Sequence, residues 1–213
     1  MRFLLIIFVL NQLFANKSFP ADSLFTNNKI NLINKIGILP IAAWQRISYN
    51  VNLFNCQFYP SCSNYGAIAI KQYGIIKGGI ITSDRITRCN PFALKYHLEL
   101  NLPFKYKDGR LIDPINQKFI NKSKKSPFLA ASMSAFIPGL GRVYAGRIWD
   151  GLIGFFSFYM IGESATLAFK KEKTASAPLL GLIATYIYLG EIYGAWRTAK
   201  FYQKEQVKSH YTK

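Results

Sequence analysis

The longest apolar stretches of the chain lie in its last third. Residues 151–169 and residues 179–196 each contain one charged residue, Glu163 in the first stretch and Glu191 in the second. At about 1.5 Å of helix per residue, either stretch can cross a bilayer core of roughly 30 Å. A helix on the surface of a soluble domain would carry a polar face, and neither stretch shows one. The pattern therefore predicts a transmembrane helical hairpin rather than two core helices of a soluble domain.

Polar positions inside this predicted hairpin are few, so each needs a structural explanation. Carboxylates are costly in hydrocarbon, and we expect Glu163 and Glu191 to face protein, water or the membrane interface. Pairing with a basic residue, or a place near a helix end, would satisfy that requirement. Gly190 and Gly194 form a G-x-x-x-G motif on the second span. This spacing predicts close packing against another helix.

A shorter amphipathic helix is predicted over residues 40–51. The apolar residues at helical spacing are Ile41, Trp44, Ile47 and Val51. Pro40 can occupy the first turn, where its missing N–H does no harm. Trp44 and Arg46 on such a helix are typical of a membrane interface, where the indole ring lies at headgroup depth. A helix packed on an ordinary core is the alternative.

Two more helices are predicted between residues 61 and 91. Ser61 or Ser63 can cap the first of them, and Gly78 with Gly79 is expected to end it. A second helix over residues 80–88 follows at once and stops before a proline. Strand-like alternation is scarce, so the chain is predicted to be mainly α-helical.

Composition changes along the chain suggest four parts. Residues 1–22 begin with an arginine and an apolar run, so they are either an export signal or an interfacial segment that is retained. Residues 30–95 form a small helical, cysteine-containing domain. Residues 96–127 are polar and turn-rich and are predicted to be a basic linker. Residues 128–213 form the two-helix membrane module.

The charge balance predicts an anionic partner. Lys and Arg number 27 against 10 Asp and Glu, a formal net charge of +17. The basic surface of the small domain is expected to contain Lys71, Lys77, Arg85, Arg88 and Lys95. A simple solvated face is the alternative, but anionic phospholipid is favoured, with about 1 kcal/mol per basic residue near the headgroups. No nucleic-acid-binding module is recognisable, so no nucleic-acid partner is expected.

Basic residues flanking the hairpin outnumber those in its loop. The flanks contain Lys118, Lys122, Lys124, Lys125, Arg142, Arg147, Arg197, Lys200, Lys204 and Lys208, and the loop contains Lys170, Lys171 and Lys173. The positive-inside rule therefore places both ends of the hairpin, and the small domain, in the cytoplasm. If residues 1–15 drive export instead, the small domain is periplasmic and the hairpin is inverted.

The chain has three cysteines, Cys56, Cys62 and Cys89, in the spacing C-x5-C-x26-C. Structural zinc usually uses C-x2-4-C pairs and four ligands, and here His97 would have to complete the set. Redox sites favour C-x-x-C, and a disulfide is plausible only in an exported domain. The spacing favours small buried thiols beside a proline turn, so no metal and no cofactor is predicted. Since no third residue completes a catalytic Cys–His pair, no enzymatic activity is predicted.

The residues around the cysteines form four blocks of motif, beginning with Gln45 and Ser48. The positions that match are Cys56, Phe58, Pro60, Cys62, Ser63, Tyr65, Tyr73, Gly74, Lys77, Gly78, Arg85, Arg88, Cys89 and Pro91. They resemble the YidD family, the small bacterial membrane protein insertion efficiency factors, over about residues 40–95. Gln57 stands where the family prefers arginine.

That resemblance implies a role in inserting integral proteins into the bacterial inner membrane. It implies the Sec translocon, the YidC insertase and nascent membrane proteins as partners. The alternatives are a membrane-active, haemolysin-like protein and an exported structural protein of the cell envelope.

A second motif opens the membrane module. It consists of Pro138, Gly139, Gly141, Tyr144, Gly146 and Gly151. These residues resemble the P-G-x-G-x-x-Y-x-G signature of bacterial two-helix membrane modules. This resemblance implies a membrane location rather than an activity.

Overall fold

The computed structural model describes residues 18–28, 30–49, 56–116 and 124–202. Most of the predicted N-terminal signal-like segment, residues 1–17, lies outside the described residues, as do Val51, Lys118, Lys122, Lys204 and Lys208. Eight helices and one pair of very short strands make up the described part. This confirms the mainly α-helical class.

The first long helix begins earlier than its apolar spacing predicts. After the single turn of α1 (Asp22–Phe25), helix α2 runs over Leu32–Ser48. Asn31 caps α2, since its side chain accepts a hydrogen bond from the Asn34 backbone N–H at 2.8 Å. The prediction that Pro40 begins the helix is therefore wrong, because Pro40 lies in the helix interior. The polar cap at Asn31 determines the start, and one intrahelical hydrogen bond is lost at the proline.

Helix α3 spans Cys62–Thr87 and consists of two arms. The arms meet at Gly74, whose φ of 79° and ψ of 174° interrupt the helical path. The prediction that Gly78 and Gly79 end a helix is wrong, because both lie within the second arm. Gly78 instead packs on the backbone of Ala69 and Ile70, where a Cβ would have no room. Gly74 therefore provides the turn, and Gly78 lets the two arms approach closely.

The segment after α3 folds against the cysteines rather than extending away. It contains helix α4 (Ala93–Glu99) and strand β2 (Leu111–Ile112), which pairs in parallel with strand β1 (Phe58–Tyr59). Phe58, Ala93 and Leu111 form one buried cluster, with Cys56 and Cys89 against it. Part of the predicted linker at 96–127 is thus packed against the small domain. Below, "cysteine domain" means residues 30–116.

The described residues of the membrane module form four helices. They are α5 (Pro127–Phe136), α6 (Leu140–Ala145), α7 (Ile148–Lys170) and α8 (Ser176–Phe201). Helices α7 and α8 are long and apolar enough to cross a membrane, with mean hydropathies of 1.4 and 1.2 in their most apolar windows. Most residues in those windows are not buried in the protein, since the buried shares are 17% and 28%. The structure thus contains the helical hairpin that the apolar pattern predicts.

Helix α8 packs on the cysteine domain as well as on α7. Gly190 lies against Ser83 of α3, and Gly194 lies against Arg142 and Asp84, where neither glycine leaves space for a Cβ. The close packing predicted from the G-x-x-x-G motif is confirmed. Its partners are α3 and Arg142 of α6, so the C-terminal half of α8 belongs to the domain interface.

Candidate functional site

Charged side chains converge where α3, α6, α7 and α8 meet. We call this set the buried charge network, and its members are Asp84, Arg85, Arg88, Asp113, Arg142, Arg147, Asp150, Glu191 and Arg197. All have side chains at most 13% exposed. Burial of this many charges is tolerated only when they are paired, because each unpaired ion would cost several kcal/mol.

Arg88 occupies the cysteine-domain side of the network. Its Nε lies 3.0 Å from Asp84 Oδ2, and its Nη1 contacts Asp113. Arg85 lies 3.4 Å from the same Asp113 carboxylate. The prediction that Arg85 and Arg88 belong to a basic surface is wrong, because the second arm of α3 faces α8 rather than solvent. Of the predicted basic surface, Lys71, Lys77 and Lys95 are exposed.

Arg142 joins the membrane module to α3. Its Nε donates to Glu191 Oε2 at 2.8 Å, and its Nη2 lies 2.8 Å from Asp84 Oδ1. The expectation that Glu191 faces protein and pairs with a basic residue is confirmed. Glu163 is exposed on α7.

Two further contacts bridge the same interface. The Asn90 side-chain amide donates to Asp150 at 2.6 Å, and Arg147 pairs with that carboxylate at 2.6 Å. Arg197 of α8 lies 3.5 Å from Asp113. Arg142, Arg147 and Arg197 therefore act inside the protein, and the positive-inside prediction of topology rests on the flanking lysines.

The arginines also change the acidity of the carboxylates on the cysteine-domain side. Burial alone raises the pKa of Asp113, but the Arg88, Arg197 and Arg85 guanidinium groups outweigh it and hold that pKa below its ordinary range. The pKa of Asp84 is lowered for the same reason, chiefly by Arg88 and Arg142 against the opposing effect of burial. Both carboxylates are therefore ionised at neutral pH.

Aromatic residues of the cysteine motif surround Arg85. Its guanidinium lies 3.5 Å from the Phe58 ring centroid and 5.0 Å from that of Tyr65. Arg85 also donates to the Pro60 carbonyl oxygen at 3.3 Å. These three motif positions therefore position one buried cation beside the cysteine loop.

Other motif residues have contacts of their own in the cysteine domain. Tyr73, at the end of the first arm of α3, donates to Asn116 at 3.0 Å. Lys77 of the second arm lies 4.9 Å from the Tyr73 ring centroid, and both side chains are exposed. Pro91 is exposed between α3 and α4. Gln45 is fully buried, accepts from the Ala21 N–H at 3.0 Å and donates to Ser63 at 3.2 Å.

All three cysteines converge at the start of α3. The Sγ atoms of Cys56 and Cys62 are 3.4 Å apart, those of Cys56 and Cys89 are 3.9 Å apart, and all three lie within 4.8 Å of one another. Each cysteine is partly exposed, so the preference for buried thiols is wrong. Sequence spacing could not reveal the cluster, because the fold of α3 returns Cys89 to the loop that contains the other two. His97 is not part of the cluster, and its Nε2 is hydrogen-bonded to the Pro103 carbonyl at 3.0 Å.

The thiols open onto an apolar groove between α2 and α3. The groove has a volume of about 520 Å³ and is lined in part by Pro40, Ile41, Trp44, Thr82 and Ile86. Trp44 is 48% exposed and Ile47 51% exposed, consistent with the predicted interfacial face. Arg46 pairs with Asp22 at 2.8 Å, so its charge is balanced within the protein.

The glycine motif of the membrane module forms the corner that positions Arg142. Gly139 packs on Gly151, and Gly141 packs on Ala130 and Ala195, all without space for a Cβ. Pro138 is buried beside them, and Gly146 ends α6 with a φ of 104°. The Tyr144 carbonyl accepts a hydrogen bond from Lys125 at 2.6 Å. Arg142 lies between Gly141 and Tyr144 in the sequence but is not itself a motif position, so the glycine motif does not predict its role.

Known proteins resemble the cysteine-containing part of this chain. The model of the family described as "YidD: Putative membrane protein insertion efficiency factor" matches residues 33–97. A protein of that description from Oleidesulfovibrio alaskensis is 48% identical over 61 residues, which cover 29% of this chain and 71% of that protein.

Two further relatives have the same description. The protein from Thermoanaerobacter pseudethanolicus is 43% identical over 60 residues, or 28% of this chain and 87% of that protein. The protein from Legionella pneumophila is 42% identical over 66 residues, or 30% of this chain and 82% of that protein. No solved structure matches the chain. The family match ends before the membrane module, so the resemblance of residues 138–151 to two-helix modules stays a prediction.

Proposed function

This chain belongs to the YidD family, the "putative membrane protein insertion efficiency factors", and from that premise we propose that it assists insertion of integral proteins into the bacterial inner membrane. The observation that carries the proposal is the buried charge network. Asp84 of the cysteine domain pairs with Arg142 and Arg197 of the membrane module. The domain is thus fixed to a hairpin long enough to span the bilayer.

The cysteine domain would act at the membrane surface through its own apolar face. The exposed apolar residues of α2 are Leu32, Ile33, Ile36, Leu39, Trp44 and Ile47. A soluble domain gains nothing by exposing such a continuous face, whereas an interfacial helix buries it in the headgroup region. The exposed lysines Lys71, Lys77 and Lys95 would add attraction to anionic phospholipid.

The groove beside α2 provides the contact with substrate. Its apolar lining and its volume of about 520 Å³ suit a few large apolar side chains of a nascent transmembrane segment. A segment that leaves the Sec translocon or the YidC insertase would contact Trp44 and Ile86 before it enters lipid. We place the cysteine domain on the cytoplasmic face of the inner membrane. The proposal includes no catalytic step.

A reporter assay in cells that lack the gene tests this function. The inserted fraction of a multispanning membrane protein is measured by protease protection, with the wild-type chain or a variant supplied in trans. We expect Trp44→Ser combined with Ile47→Ser to lower the inserted fraction. Tyr106→Ser is the matched control, because Tyr106 is fully exposed on a loop away from the groove. Equal insertion with and without the wild-type chain contradicts the proposal.

A further inference from the structure

We propose that Cys56, Cys62 and Cys89 together bind one thiophilic transition-metal ion of the Zn²⁺ type. The site goes beyond the insertion function and does not depend on it. The three residues are all the cysteines that the chain has, and they come from three places in the fold. Cys56 precedes β1, Cys62 is the first residue of α3, and Cys89 follows the end of α3.

The separations of the sulfur atoms fit a single bound ion. Three sulfurs that each lie about 2.3 Å from one zinc ion are separated by roughly 3.8 to 4.0 Å, depending on whether the geometry is tetrahedral or trigonal. The pairs measured here are 3.4 Å and 3.9 Å apart, and no pair exceeds 4.8 Å. Small side-chain rotations bring the three atoms to equal distances. Thiolate ligands select zinc and copper(I) over magnesium, calcium or manganese.

Polar groups of the protein approach two of the three sulfur atoms. The Cys62 backbone N–H, at the N-terminus of α3, donates to Cys56 Sγ at 3.3 Å. The Gln57 amide lies 3.9 Å from Cys89 Sγ and is itself fixed by the Asn90 carbonyl at 2.8 Å. Outer-shell donors of this kind orient metal ligands.

The charge of the loaded site would balance a charge of the protein. A divalent ion with three thiolates has a net charge of −1. The buried charge network has five arginines and four carboxylates, so it has a net charge of +1. Arg85 joins the network to the cysteine loop, because its guanidinium donates to the Pro60 carbonyl oxygen at 3.3 Å. The metal site would therefore compensate the extra cation of the network.

An ion can reach the three sulfurs from the groove. All three cysteines are partly exposed and line it, together with Ser61 and Ser63. A water molecule from the groove would complete the coordination, since His97 lies outside the cluster. Each bound ion displaces the protons that remain on the thiols, so the affinity should rise with pH.

The purified full-length chain, reduced and in detergent, tests the site with Co²⁺ as an optical probe. We expect saturation at one Co²⁺ per chain, with thiolate-to-metal charge-transfer absorption that Zn²⁺ abolishes. Each of Cys56→Ser, Cys62→Ser and Cys89→Ser should weaken binding by at least ~10-fold, the smallest effect that loss of even an outer-shell partner has. Ile86→Val, in the same groove, should leave binding unchanged.

A second measurement does not depend on whether the serine variants fold. The rate of thiol alkylation in the wild-type chain is compared with and without Zn²⁺, and we expect the ion to protect all three thiols. Absence of the charge-transfer band, or protection of fewer than three thiols, overturns the proposal. So does isolation of the chain from cells with a Cys56–Cys62 disulfide.

Discussion

Arg142 Nη2 lies 2.8 Å from Asp84 Oδ1, and this contact joins the membrane module to the cysteine domain. Both side chains are almost completely buried, and Arg142 also pairs with Glu191 of α8. One guanidinium therefore holds carboxylates from two parts of the chain. The hairpin is not an independent anchor on a flexible tether, because the ion pairs fix the orientation of the domain that it carries.

Removal of Arg142 should destabilise the whole chain. Arg142→Ala leaves Asp84 and Glu191 without their shared partner, and breaking a buried pair from one side costs about 3–5 kcal/mol. We expect a large fall in the thermal unfolding midpoint of the detergent-solubilised protein. Arg110→Ala is the matched control, because the Arg110–Asp108 pair is exposed to solvent and exposed pairs add little to stability. Equal shifts of the unfolding midpoint in both variants would contradict a stabilising role of the buried charge network.

Acid should weaken the same interface. Asp84 and Asp113 have pKa values below those of the unfolded chain, so their stabilising effect is complete above the unfolded value and is lost as pH falls toward the folded one. The unfolding midpoint should therefore drop as pH falls below about 4, the ordinary range of aspartate. Asp113→Asn should be less stable at neutral pH and should lose less on acidification. An identical pH profile for the wild type and Asp113→Asn contradicts this assignment.

The turn inside α3 should require glycine. Gly74 has a φ of 79° and a ψ of 174°, a combination that side chains resist, so Gly74→Ala should cost about 1–3 kcal/mol. Gly162→Ala is the control, because Gly162 is helical and a Cβ there meets open space. Chemical denaturation of both variants checks the difference. The prediction is wrong if Gly74→Ala is as stable as Gly162→Ala.

Trp44 should lie in the membrane interface when the chain is reconstituted. In a variant with Trp149→Phe and Trp196→Phe, Trp44 is the one remaining tryptophan. Lipids brominated near the headgroup should quench its fluorescence, because the exposed face of α2 places the ring at that depth. A Trp44 that remains as accessible to aqueous iodide as the free amino acid would exclude an interfacial α2.

Some of these features could be predicted from the sequence and others could not. The hairpin follows from two uninterrupted apolar stretches, and helix α2 from its apolar spacing, because both signals are local. The burial of Arg85 and Arg88 is not local, since it depends on α8 covering the end of α3. The cysteine cluster is missed for the same reason: Cys89 is distant in sequence and returns only through the turn at Gly74. The apolar spacing does not predict the start of α2, because the cap at Asn31 sets that start and Pro40 lies in the helix interior.

Site-specific photo-crosslinking from the groove tests the central claim most directly. A photoreactive amino acid replaces Ile86, which is 59% exposed and lines the groove, or Tyr106 as the control. Ribosomes stalled on a membrane protein present its first transmembrane segment during synthesis. The account predicts an adduct with that segment from position 86 and none from position 106, and no adduct with a stalled soluble protein. Failure of position 86 to crosslink the segment, or equal adducts from both positions, would contradict it.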